Sequence, residues 1–160
     1  MAVIRLNKKF MQVALDEAGK NLKNMQGGPF GACIVRGNKI LAVARNTVLK
    51  GDATAHAEIN AIRKACRKLG DYNLSGCCIY STTEPCPMCF SAIHWARIDY
   101  LVFGTTIKDA RSLGFNELPI SCRKLKKTGK SKLQIFAPFM LGECKGLFTE
   151  WSKLKNKILY

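Results

Sequence analysis

Phe10, Met11, Ala14, Leu15, Ala18 and Leu22 recur at helical spacing with polar residues between them, which predicts one amphipathic helix over about residues 7–25, ended by Gly27-Gly28-Pro29. The pattern then changes to a short unbroken apolar run, 30–35, read as a buried strand. Arg36-Gly37-Asn38-Lys39 has turn chemistry, and 40–44 returns as the second strand of a hairpin with Asn46 just past its end. Ile59, Ile62, Ala65, Cys66 and Leu69 form a stripe of period near 3.6 that stops at Gly70, so a helix opens near His56. A strand over 77–81 leads through Thr82-Thr83-Glu84-Pro85 into a helix that runs from Cys86 to about Ala96. A strand over 100–104 follows, then a short helix and loop around Gly114-Phe115, a strand over 133–136, and a last helix marked by Leu141, Cys144, Leu147, Phe148 and Trp151. Alternating helices and short strands predict an α/β fold: a three-layer α/β/α sandwich around a mixed five-stranded sheet. No linker or internal repeat interrupts it, so residues 1–160 read as one domain with a C-terminal helix and tail over about 142–160.

Composition narrows the class. There is no run of eighteen apolar residues, and Met1-Ala2-Val3-Ile4 gives way at once to Arg5, Asn7, Lys8 and Lys9, which is not a signal peptide. A soluble cytoplasmic protein with no membrane partner is expected. The chain has eight cysteines. Most sit in apolar settings such as Ala32-Cys33-Ile34 and Cys77-Cys78-Ile79, where reduced core thiols fit better than disulfides. A net charge of +15 would concentrate polyanions at the surface. Arg123, Lys124, Lys126, Lys127, Lys130 and Lys132 cluster in one stretch, which would suit RNA. Lysine-rich faces are also common on proteins with no such partner.

The candidate chemistry lies in Thr54-Ala55-His56-Ala57-Glu58 and Glu84-Pro85-Cys86-Pro87-Met88-Cys89. Two cysteines three apart at a helix start can each reach one zinc at about 2.3 Å, and a histidine from a second helix supplies a third ligand at roughly 2.0 Å. One tetrahedral corner stays open for water, whose pKa zinc depresses. Glu58, two residues beyond His56, does not share its orientation on a helix and is read as the proton carrier, not a fourth ligand. A closed structural site would need a fourth Cys or His at ligand spacing, and neither motif has one. His94 is read as a structural histidine. Iron and cobalt would also fit the ligand set, though zinc suits it best.

These residues resemble the H-x-E and P-C-x-x-C signature of the cytidine deaminase superfamily, and nearly the whole chain resembles its bacterial guanine deaminase branch. Gly27-Gly28-Pro29-Phe30-Gly31-Ala32, Asn46, Trp95-Ala96-Arg97, Asp109-Ala110, Gly114-Phe115 and the final Tyr160 carry the branch resemblance. It implies a single Zn2+ per subunit held by His56, Cys86 and Cys89, with Glu58 catalytic. Asn46, Phe30, Ala57, Trp95, Glu117 and Tyr160 are then the substrate-binding set, and the tail closes over its own or a partner's site in a homodimer. By residue type alone Asn46 is a turn residue, and Phe30 is equally a core residue or a stacking face for a flat base. One departure stands out. The branch has an aspartate pair after Gly-Phe, the second reading guanine's edge, whereas this chain has Asn116-Glu117. Glu117 keeps the charge on a longer arm, or marks a different base or nucleoside.

The function expected is therefore zinc-dependent hydrolytic deamination of a free nucleobase, guanine giving xanthine and ammonia. The alternatives are a tRNA-specific adenosine deaminase and a deaminase of another base or nucleoside, such as guanosine or cytosine. A non-catalytic zinc-stabilised binding module is the reading from another class, and the presence of Glu58 counts against it. The tRNA branch usually carries Val or Ile where this chain has Phe30, and charge governs affinity, not which base enters a pocket.

Overall fold

The computed structural model describes residues 5–160, so the reading of residues 1–4 lies outside the described residues. The elements are α1 (Lys8–Gly19), α2 (Asn21–Asn24), β1 (Gly31–Arg36), β2 (Lys39–Arg45), α3 (Ala57–Leu69), β3 (Cys77–Thr83), α4 (Pro87–Trp95), β4 (Tyr100–Thr105), α5 (Ile107–Ser112), α6 (Cys122–Thr128), β5 (Gln134–Phe136) and α7 (Leu141–Ser152). The strands form one sheet in the order β2-β1-β3-β4-β5. β1 runs antiparallel to β2 and β3, while β3, β4 and β5 are parallel. The sheet is thus mixed and five-stranded with helices on both faces, as the alternation of elements predicts.

Strand side chains alternate faces, and here both faces are covered, which is why the strands read as unbroken apolar runs. Ala32, Ile34, Ile79, Leu101 and Phe103 pack on one face with Ala57, Ala61 and Ala65 of α3 and Phe90 and Ile93 of α4. Cys33, Val35, Cys78, Tyr80 and Val102 point the other way, onto Phe10, Met11, Ala14 and Ala18 of α1 and Cys144 and Leu147 of α7. The thiols of Cys33, Cys78 and Cys144 are therefore core groups. Burial raises all three, Cys33 and Cys144 to about 12. Gly31 permits the closest approach in this layer: a Cβ there would collide with the Ala14 carbonyl of α1.

Two elements differ from the sequence reading. The helix expected over 7–25 is broken, with α1 ending at Gly19 and α2 closing on Met25 in a left-handed conformation (φ 49°). Asn21 explains part of this: its side chain is fully buried and donates to Gly28 O at 2.8 Å and Asn46 O at 2.7 Å, which ties the break to the loops ahead of it. Helix α6 was not expected at all. Ser121 caps it by accepting from Lys124 N, but Cys122 and Leu125 are too few to make a periodic stripe among Arg123, Lys124, Lys126 and Lys127.

Arg45, the last residue of β2, clamps the same region. Its Nε donates to Asn21 Oδ1 at 3.1 Å, and its two terminal nitrogens donate to Glu17 at 2.7 Å and Gln26 at 2.9 Å. Burial pushes the Glu17 carboxyl up, but hydrogen bonds and charge from Lys20 and Arg45 outweigh it and leave it below its ordinary 4.5. A carboxylate with a depressed folded pKa stabilises above its unfolded value and ceases to as pH falls through the folded one. Arg45→Met should therefore lower stability at pH 7, and the gap from wild type should shrink as pH falls below 4.5 in urea unfolding. A gap unchanged at pH 3 would mean that the clamp works through Asn21, Gln26 and packing and not through the Glu17 charge.

Candidate active site

The loop after β3 and the loop after β2 each deliver a helix N-terminus to one place. His56 is the N-cap of α3 and Cys86 the N-cap of α4, with Pro87 at the first helical position and Cys89 inside the first turn. Ligand atoms of His56, Cys86 and Cys89 lie within 4.8 Å of one another. His56 Nδ1 and Cys86 Sγ are 3.7 Å apart. Zinc–sulfur and zinc–nitrogen bonds of about 2.3 and 2.0 Å at a tetrahedral angle would separate these atoms by about 3.5 Å. The donor set fits zinc.

Without metal the two thiols share their protons unequally. Cys86 is pulled down to about 4, first by the hydrogen bond from Cys89 and then by His56, while Cys89 is held well up by the same pairing and by burial. Burial pushes His56 down, but the hydrogen bond to Cys86 and the Glu58 charge carry it above 6.5. A cation in this place would replace those protons.

Glu58 stands on the first turn of α3 and is only 6% exposed. Its Oε2 is 3.4 Å from Cys89 Sγ, so the carboxylate faces the cluster without being one of its three donors. Burial pushes its pKa up. The other oxygen explains more. Ser81 Oγ lies 2.8 Å from Glu58 Oε1 and 2.7 Å from the Thr83 carbonyl, yet a hydroxyl has one proton. Its proton is shared between these two acceptors, so Ser81 donates to Glu58 Oε1 and ties the carboxylate to the end of β3.

Glu117 belongs to the same locality. It is half-buried, its pKa is pushed to about 7 by burial and by the Cys86 charge, and it also feels His56 and Glu58. Across from it, Tyr160 Oη donates to Asn46 Oδ1 at 2.8 Å and accepts from Gly28 N at 2.7 Å, while Tyr160 O accepts from Asn116 N at 3.0 Å. Burial first, and then the Glu117 and Glu58 charges, raise the phenol. Asn46 Oδ1 also accepts from Val48 N, which leaves Nδ2 free of protein partners among the described residues. Phe30 is half-buried and edge-on to Phe115 (4.9 Å) and Phe148 (5.9 Å), and Phe115 in turn lies against Tyr160 and Trp151. The glycine pair of the motif is explained by this crowding. A Cβ on Gly27 would strike Asn46, and one on Gly28 would strike the rings of Phe30 and Phe115.

The structure thus brings His56, Cys86, Cys89, Glu58 and Glu117 together and sets Asn46, Phe30 and Tyr160 beside them. Ala57, fully buried, follows His56 as the first residue of α3. Trp95 is not gathered with them: it ends α4, two turns beyond Cys89, and is 79% exposed. Within the single chain, then, α4 sets Trp95 apart from the metal end. Ser81 and Glu84 were missed as members of the site. Their signal was present as a run of polar residues, Ser81-Thr82-Thr83-Glu84, ending a strand that is buried along its length.

Comparison with known proteins agrees with this geometry. The profile of the cytidine and deoxycytidylate deaminase zinc-binding region matches residues 4–105. The chain belongs to that deaminase family. It is a zinc-dependent hydrolytic deaminase. It is 37% identical to the guanine deaminase of Bacillus subtilis over 96% of this chain and 99% of that one. It is 38% identical to the tRNA-specific adenosine deaminase of Buchnera aphidicola subsp. Schizaphis graminum over 80% of this chain and 82% of the other. The solved structure of guanine deaminase from Nitrosomonas europaea superposes with a TM-score of 0.84 at 25% identity, covering 96% of this chain and 88% of that one. Within the deaminase family, then, the chain has relatives that act on a free base and relatives that act on tRNA. Among the described residues no helix is long and apolar enough to cross a membrane.

Proposed function

We propose that this deaminase converts guanine to xanthine and ammonia, with His56, Cys86 and Cys89 holding zinc and Glu58 moving the protons. When bound, zinc supplies a Lewis acid that lowers the pKa of a coordinated water toward neutrality. Glu58 takes one proton of the attacking water on a carboxylate oxygen and gives it to the ring nitrogen beside the carbon under attack; it then takes the remaining proton of that oxygen and delivers it to the amine, so that the C–N bond breaks as the C=O bond forms and ammonia leaves. Ser81 keeps that carboxylate oriented from below through Oε1. Asn46 offers Nδ2 to an acceptor on the base, and the rings of Phe30 and Phe115 give it an apolar wall.

The observation that carries the choice of base is Glu117. Its carboxylate accepts no hydrogen bond from the described residues, yet it sits half-buried within the field of Cys86, His56 and Glu58. A carboxylate so placed suits a base that presents neighbouring N–H donors. Guanine does so with its ring N1–H and its 2-amino group, whereas adenine offers a bare N1 lone pair there and would be repelled. The tail supports a small substrate: Tyr160 Oη closes on Asn46 and Gly28, beside the residue that would meet the base. The reading brings with it a cytoplasmic homodimer, and reduced buried thiols suit a reducing compartment.

Ammonia release from guanine, guanosine, adenine, cytosine, cytidine and a tRNA anticodon stem-loop at one salt concentration tests the proposal. Turnover confined to guanine is expected. Turnover on the stem-loop alone would transfer the chain to the tRNA reading and give the +15 surface its purpose. Tyr160→Phe, which removes the hydroxyl shared by Asn46 and Gly28, should raise KM about tenfold with a smaller change in kcat. An unchanged KM would take the tail out of the site.

A further inference from the structure

Glu84 stands two residues before Cys86 and is 8% exposed. No ion pair holds it among the described residues. Its carboxylate spends both oxygens on backbone instead: Oε2 accepts from Ile107 N at 3.1 Å and Oε1 from Cys122 N at 2.9 Å. Ile107 opens α5 and Cys122 opens α6, so one side chain fastens both ends of the segment 107–122. Two further contacts repeat the link. Glu84 N donates to Thr105 O at 2.8 Å, and Cys122 Sγ donates to Pro85 O at 3.2 Å.

Inside that segment the stretch 113–121 belongs to no helix or strand. It nevertheless carries Phe115, which packs on Phe30 and Tyr160, and Glu117, whose carboxyl feels the charges of Cys86, His56 and Glu58. Its other ties are Asn116 N to Tyr160 O and the packing of Phe115 on Phe30, Tyr160 and Trp151. A loop with so little regular structure of its own depends on its anchors for position. The anchor at both of its ends is the residue that is also covalently joined to the Cys86 loop.

We propose that Glu84 is a positioning residue for the deamination site, fixing Phe115 and Glu117 at a set distance from the metal. This rests on the reading that Glu117 contacts the base. A carboxylate is the group the geometry requires, because two N–H donors converge on it. Glutamine has one oxygen, and its Nε2–H would confront the second N–H, leaving a buried donor unsatisfied.

The test is Glu84→Gln, read by zinc content, steady-state kinetics on guanine and hydrogen–deuterium exchange of the zinc-loaded enzyme. We expect about one zinc per chain, a KM raised about tenfold, a kcat within about threefold of wild type, and exchange accelerated about tenfold or more in 107–122 while α3 and α4 stay protected. The KM penalty should fall below threefold when Glu84→Gln is made in a Glu117→Gln background, since a residue that acts through another is not additive with it. Unchanged protection in 107–122, or penalties that multiply in the double variant, overturns the proposal. Zinc loss with that protection intact also overturns it, by making Glu84 a support of the metal loop. If Glu117→Gln alone leaves guanine turnover intact, the base-reading role of Glu117 fails, and the exchange measurement still decides for or against Glu84. Should the glutamine variant fail to fold, Glu84→Asp, which keeps both acceptors on a shorter arm, is judged by the same exchange criterion.

Discussion

Replacing Glu58 by glutamine should lower kcat by about a thousandfold or more and leave zinc content and fold intact. The structural cost is small because glutamine has the same shape and its oxygen or its amide can still meet Ser81 Oγ, which lies 2.8 Å from Oε1. The chemical cost is large because an amide neither accepts the water's proton nor returns it to the ring and the amine. General acid–base catalysis by one positioned group contributes about 10²–10⁴ in rate, and here a single group serves more than one transfer. A thousandfold loss corresponds to about 4 kcal/mol of transition-state stabilisation. Stopped assays on guanine, with zinc measured on the same sample, check the expectation. Near-wild-type turnover with full zinc would mean that another group moves the protons, and Glu117 would be the next one to replace.

Sequence alone reveals parts of this site for a definable reason. His56, Glu58, Cys86 and Cys89 are legible because metal chemistry constrains residue type and spacing together, and both motifs lie at helix starts that hydrophobic periodicity can locate. The sheet is legible for a similar reason: strands buried on two faces read as largely apolar runs, as β1, β3 and β4 do, and the edge strands β2 and β5 still show short, mostly apolar runs. What is not legible depends on contacts far apart in the chain. Tyr160 meets Gly28 and Asn46 across more than a hundred residues, and nothing in the tail's own pattern points to them; only the branch resemblance set Tyr160 beside Asn46. Glu84 could be quoted as part of a motif but not given partners, since Ile107 and Cys122 offer only backbone N–H groups, which any residue carries. Trp95 is a case of another kind: the motif sets it close to Cys89 in the sequence, while the length of α4 separates the two within the chain.

The same contrast explains how the basic surface and the pocket can point to different substrates. Charge acts at long range and without reference to base identity, so a net charge of +15 bears on what collects near the protein. In the proposed reading Glu117, Asn46 and the aromatic walls act at contact distance on a single base. The proposal of guanine rests on the second set, and the stem-loop arm of the substrate panel measures whether the first has any catalytic consequence.

Cys89→Ala should carry the other large effect: zinc per chain falling from about one to less than a tenth after dialysis, with deaminase activity lost to the detection limit. Cys89 is fully buried on the first turn of α4 and has no neighbouring thiol or imidazole to take its place among the described residues, since the metal group consists of His56, Cys86 and Cys89. With two ligands left, one from each helix start, the site cannot enclose a cation tetrahedrally. The fold should survive. Its two apolar layers are formed by strands packed against α3 and α4 on one side and α1 and α7 on the other, and neither layer needs the metal to close it. Stability should fall all the same, because a ligand bound only by the native state contributes according to its saturation, about 2.7 kcal/mol at a hundred times Kd. Cooperative urea unfolding at a lower midpoint, with circular dichroism unchanged, is the expected record. Cys66→Ala, at a half-buried thiol on α3 outside the cluster, is the control and should keep its zinc and its rate. Full zinc in Cys89→Ala would refute the ligand set. Loss of zinc with activity retained would refute the metal's part in the reaction, and unfolding on metal loss would make the centre a structural pin between α3 and α4 in addition to a catalytic one.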